Sequence, residues 1–262
     1  MTHSNAVPGI DLFLDVPAAV PLDEVLIGVV RVVNSGQGTV TVSARVNLIE
    51  GDLTVAVTGP DGRTGRAGWP YPVDSLPRTI ELGPGEALAG SIPLLVDGGL
   101  TPVFPVAGRY SLTARFQAAP GAELIGAPVS VERQAPQDDL AAQALQDRDV
   151  LQSLLSAAEM GQAAGSLAAL AIGGEPMARF LSGLALGSPG QVRQAAQELA
   201  VGVGDRPADP LSAASALNAV LPTGLYTGDQ RREAVIDALT GVTDARVRAM
   251  LDGLPHDAEG GI

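Results

Sequence analysis

The chain has 262 residues, 46% hydrophobic and 17% charged, which is length enough for two ordinary domains and the balance of a folded protein rather than a disordered one. A formal charge of −13 argues against nucleic acid and anionic lipid as partners, because both are bound largely through cationic side chains. The absence of cysteine excludes disulfides, thiolate zinc sites and cysteine nucleophiles.

From Ile10 to about Arg133 short β-rich runs alternate with turn residues. Ile10–Leu14 opens the series, and Val25–Val33 follows, ending at Asn34-Ser35-Gly36. Thr39–Leu48 alternates, with Val40, Val42, Ala44, Val46 and Leu48 on one side, which is the period of a half-buried strand. Leu53, Val55 and Val57 continue into the turn Gly59-Pro60-Asp61-Gly62. Later runs lie at Thr79–Leu82, Leu88–Val96, Arg109–Phe116 and Leu124–Val131. About eight strands with no helical period between them predict a β-sandwich.

Around Gln134–Asp139 the pattern changes, and Pro136 with its polar neighbours reads as a linker. Leu140, Ala144, Leu151, Leu154, Leu155 and Ala158 recur at helical spacing. Gly161–Gly187 is rich in Ala, Leu and Gly and is broken at Gly173-Gly174-Glu175-Pro176. Ser188-Pro189-Gly190-Gln191, Asp209-Pro210 and Thr227 or Asp229 punctuate three further helices. Val247, Met250, Leu251 and Leu254 imply a last one, closed by Gly253 and Pro255.

The expected fold is therefore two-domain, all-β followed by all-α. It comprises an N-terminal tail (1–9), a sandwich (10–133), a linker (134–139), a helical bundle (140–255) and a C-terminal tail (256–262). Within the sandwich, Leu82-Gly83-Pro84-Gly85-Glu86 precedes a strand, and Gly108-Arg109-Tyr110 enters a later one like the tyrosine corner of immunoglobulin-like folds. On these motifs the segment resembles bacterial immunoglobulin-like accessory domains, including the sandwich of intracellular proteinase inhibitors. The resemblance implies a fold and not an activity.

Few residues carry chemistry. His3 and His256 are the sole histidines, each near a terminus, so neither a metal site nor a Ser-His-Asp triad is expected. All 16 basic residues are Arg, and without Lys there is no P-loop lysine or Schiff base. The carboxylate pairs Glu50/Asp52, Asp138/Asp139 and Asp147/Asp149 read as solvated turn or helix residues rather than as a glycosidase pair. No catalytic, cofactor-binding or metal-ligating residue is assigned, and no cofactor is expected.

Two regions read as candidate interfaces. Trp69-Pro70-Tyr71-Pro72 gathers Trp69 and Tyr71 in a Pro-rich loop. Met160–Gly187 is apolar nearly all round, with Leu167, Leu170, Ile172, Phe180 and Leu184 as its main side chains, and such a helix must be surrounded by its own domain or by another chain. No apolar run approaches the roughly 20 residues that span a bilayer. The N-terminus has neither a basic n-region nor an apolar h-region, so a cytoplasmic protein is expected. The function expected is a non-catalytic interaction or assembly protein with protein partners, a second copy of the chain among them. The alternatives are a proteinase inhibitor acting through a sandwich loop and an enzyme with an unrecognised acid–base site.

Overall fold

The structure is a computed structural model, and it describes residues 8–71, 76–137 and 139–155. Among them are eleven strands: β1 (Ile10–Asp15), β2 (Ala19–Pro21), β3 (Ile27–Asn34), β4 (Val40–Ser43), β5 (Leu53–Thr58), β6 (Thr64–Ala67), β7 (Thr79–Leu82), β8 (Ala87–Pro93), β9 (Gly108–Ala119), β10 (Ala122–Ile125) and β11 (Val129–Gln134). Two helices follow, α1 (Asp139–Ala144) and α2 (Arg148–Leu155). The chain divides into two units: Met1–Leu22 with Leu26–Ala135, and Asp23–Val25 with Pro136–Ile262.

The first unit is a β-sandwich. One sheet has the order β1-β3-β8, and a larger one the order β2-β11-β9-β5-β6, with β10 also on β9; β4 and β7 form a separate pair. All pairings are antiparallel except that of β2 with β11. Alternation decides which side chains go inward. In β9, Tyr110, Leu112, Ala114, Phe116 and Ala118 are buried while Arg109, Ser111 and Arg115 are exposed. In β1 the inward set is Ile10, Leu12 and Leu14. With Val30 and Val32 of β3, Val42 of β4, Val55 of β5 and Leu82 of β7 they form one apolar cluster. Burial of each Leu, Ile, Val or Phe contributes roughly 1.5–3 kcal/mol, and with so few aromatics this aliphatic cluster carries most of the stability.

Three backbone features fix the loops. Asn34 is fully buried, and its amide donates to the carbonyls of Gly38 and Leu82 at 2.8 Å each while its Oδ1 accepts the Gly36 N–H at 2.9 Å. One side chain thus ties the turn after β3 to the end of β7. Gly90 of β8 lies against the crossover from β4 to β5, where an added Cβ would fall 2.0 Å from the Val46 carbonyl oxygen. Tyr110 donates its hydroxyl to the Val106 carbonyl at 2.8 Å, and its ring stands edge-on to Phe104 with centroids 4.9 Å apart. That bond is the one the Gly108-Arg109-Tyr110 motif predicts.

Several expectations are corrected. The run Thr39–Leu48 leaves its ladder after Ser43, where the Ser43 hydroxyl takes the Arg45 N–H and competes with strand pairing. Leu124–Val131 is two strands, since Gly126 and Pro128 interrupt it and Pro128 has no N–H to give. The expected all-β plus all-α fold with a helical bundle is not what the described residues show. They are nearly all β, with α1 and α2 short and no bundle among them. The reading of Leu140–Ala158 as one helix fails at Asp147, whose carboxylate accepts the N–H groups of Asp149 and Val150 and so starts α2 afresh. Among the described residues of α2, Val150 and Leu151 are buried; the helical spacing marks Leu151 but not Val150. In the same unit the Asp23 carboxylate accepts the Gln137 N–H at 3.1 Å.

Candidate functional site

The larger sheet turns one face to the core and the other to solvent. Register fixes which residues meet on the outer face: Thr64, Thr58, Ser111 and Ser130 form one row across β6, β5, β9 and β11. Arg66, Ala56 and Thr113 form the next, and Thr54, Arg115 and Ile125 a third. The middle of this face is therefore small hydroxyl and methyl groups, and arginines stand around it. Arg109 lies 3.7 Å from Glu132, and Arg115 3.2 Å from Glu123. Thr58 and Thr64 join through their hydroxyls at 3.0 Å. The result is a surface with few long flexible side chains at its centre, which lowers the conformational entropy lost on contact.

Of the paired carboxylates, Glu50, Asp52 and Asp147 bond to neighbouring groups. Asp52 accepts the Ser43 hydroxyl at 2.5 Å and Arg45 Nε at 2.8 Å, and pairs with Arg45 Nη2 as well. That pairing raises the already high pKa of Arg45. Glu50 is held by Arg78 at 2.6 Å and by Asn47 at 2.7 Å, and Asn47 also accepts the Ile49 and Glu50 N–H groups. These two acids pin the crossover between β4 and β5. Asp139 opens α1, Asp147 caps α2 and Asp149 sits in its first turn, while Asp138 lies outside the described residues. Asp61 closes the β5–β6 turn by accepting the Arg63 N–H at 3.0 Å, with Gly62 at φ 78°.

Trp69 and Tyr71 are half-buried, and their rings stack edge to face with centroids 5.7 Å apart. The neighbouring Gly68 N–H donates to the Val96 carbonyl at 3.0 Å, which anchors the start of that loop. Leu167, Leu170, Ile172, Phe180 and Leu184 lie outside the described residues, as do His3 and His256. Among the described residues no His/Cys/Asp/Glu group of three or more is placed to hold a metal ion. No helix among them is long and apolar enough to cross a membrane, which says nothing of a β-barrel. Sequence reasoning missed the outer face because β6 is too short to show a period and register alone brings the other strands' residues side by side. The alternation in Arg109–Phe116 does mark Ser111 and Thr113 as outward, but not what stands beside them.

No protein-family model and no curated protein matches the chain. Among solved structures it is similar to a β-glucosidase from Listeria innocua in complex with glucose, at 12% identity and a TM-score of 0.30, over 48% of this chain and 16% of that one. An alkylpurine DNA glycosylase from Pseudomonas fluorescens bound to abasic-site DNA matches at 11% identity and a TM-score of 0.30, over 50% of this chain and 32% of that one. A CARDB domain from Pyrococcus furiosus, in complex with di-metal ions, matches at 15% identity and a TM-score of 0.25, over 48% of this chain and 87% of that one. The chain thus spans about a sixth of the β-glucosidase. Likenesses at this level say nothing of activity.

Proposed function

We propose that the chain is a non-catalytic, cytoplasmic interaction protein whose immunoglobulin-like sandwich presents the outer face of its larger sheet to a protein partner. The carrying observation is that face: Thr58, Ser111 and Thr113 at its centre, on the outward side and rimmed by Arg66, Arg109 and Arg115. Its arginines are of a residue type enriched at contact surfaces. The immunoglobulin-like reading is supported by strand order. β1, β3 and β8 follow the order A, B, E of such a sandwich, and β11, β9, β5 and β6 the order G, F, C, C′. The tyrosine corner at the start of β9 falls on strand F, where that fold places it.

The test is photo-crosslinking in native lysate from a reactive group at position 113, with position 13 on the smaller sheet as the control. A stoichiometric protein captured from 113 and not from 13 supports the reading. Equal capture from both, or none, overturns it. A peptidase captured through position 69 instead favours the inhibitor reading, in which the Trp69–Pro72 loop is the contact.

A further inference from the structure

We infer that the free edge of β6 accepts an extended, acidic segment of the partner protein as an added strand. This rests on the interaction reading above and names the chemistry of the partner. Among the described residues β6 pairs with β5 alone and ends its sheet, and Thr64, Gly65 and Arg66 are all exposed. Nothing lies within 4 Å of a Cβ built on Gly65, so the face of β6 at that residue is uncrowded as well. An exposed edge strand offers unpaired N–H and C=O groups as a template for another chain.

The pairing says which groups those are. The ladder is entered through the Gly59 N–H, which donates to the Arg63 carbonyl at 2.8 Å. Bonded and non-bonded pairs alternate from there, so Val57 and Gly65 bond each other while Thr58–Thr64 and Ala56–Arg66 do not. The N–H and C=O of Thr64 and Arg66 therefore point away from β5, to the open side. Two donors and two acceptors stand at the spacing an added strand requires.

Charge selects the occupant. Arg63 is 91% exposed, 3.4 Å from Asp61, and Arg66 has no ion pair among the described residues. Two exposed cations on four residues of edge stand out on a chain of net charge −13. A second copy adding antiparallel at β6 through the same outward groups would pair Thr64 with Arg66 of the other copy and set the two Arg66 side chains diagonally across one face, where like charges repel. An acidic strand meets both Arg63 and Arg66.

The experiment uses the full chain, with an eight-residue peptide repeating Thr-Thr-Glu-Glu as probe, so that carboxylates fall on both faces of the added strand, and a peptide with lysine for glutamate as control. Amide chemical shifts locate binding. The expected result is that the acidic peptide shifts Thr64, Gly65 and Arg66, that the control does not, and that R63E/R66E weakens the acidic peptide on the order of tenfold at low salt. Arg66→Pro removes one outward N–H without touching the bonds to β5, and is expected to weaken binding while the fold persists. Shifts that fall elsewhere, or binding of neither peptide, overturn the proposal. So does R63S/R66S self-association without peptide binding, since the arginines are then only guards against edge pairing. Partner capture from position 113 with no peptide effect at β6 leaves the interaction reading standing and sinks this one alone.

Discussion

The two sides of β9 carry different duties. Inward, Tyr110, Leu112, Ala114 and Phe116 are buried, and Tyr110 is bonded to the Val106 carbonyl. Outward, Ser111 and Thr113 face solvent with Thr58, Thr64 and Ala56 beside them. The same contrast separates the buried pin at Asn34 and the close backbone approach at Gly90 from the outer face as a whole. A side chain whose bonds are all made inside the fold is expensive to change and says little about partners. One that is small and exposed is cheap to change, and its identity is free to serve contact.

Substitutions should separate the two sides, and Gly90→Ala is expected to cost most. Its Cβ would overlap the Val46 carbonyl oxygen, which is backbone and cannot rotate away, so a loss of about 3 kcal/mol or more is expected in chemical denaturation. An unchanged midpoint would mean that the crossover moves freely. Asn34→Ala should follow at about 2–3 kcal/mol, since it strands the carbonyls of Gly38 and Leu82 and the Gly36 N–H.

Tyr110→Phe is expected to cost about 1 kcal/mol, the net worth of one hydrogen bond. The residue also carries a pH signature. Burial raises its pKa in the folded state above the usual 10.0. A raised folded value means that the folded chain holds the proton longer than the unfolded one. The stabilisation is thus full below pH 10 and is lost as pH rises through the folded value. The wild type should weaken above about pH 10 more steeply than Y110F. Parallel profiles for the two would count against a buried phenol. Smaller still is Asp52→Asn, expected at about 1 kcal/mol or less because its partners are partly solvated. A cost above that of Asn34→Ala would reverse the ranking of buried over surface-accessible pins.

How much of this was legible follows from the residues. The β-rich run Ile10–Leu14 and the strict alternation in Arg109–Phe116 read directly as strand, and Gly108-Arg109-Tyr110 announces its hydroxyl bond. Strands β2 and β6, at three and four residues, are too short for a period to register. Asn34 reads only as a turn residue, since its bond to Leu82 spans 48 positions. Gly90 had a signal, a glycine inside a Val/Leu/Ile run, which marks close backbone approach. Helical spacing from Leu140 to Leu155 is matched by α1 and α2, yet it could not show that Asp147 would bond its own neighbours and start the second helix afresh. The outer face was least legible of all, because it exists only once register sets β5, β6 and β9 side by side.

Thr113→Arg tests the central claim most directly, when its stability and its partner capture are measured together. Thr113 points out between Leu112 and Ala114, so the denaturation midpoint should move by no more than about 0.5 kcal/mol. Capture of the partner from lysate by the tagged full chain should be lost, because a long charged side chain then stands at the centre of the outer face. Capture at the wild-type level with the fold intact would contradict the claim that this face is where the protein works.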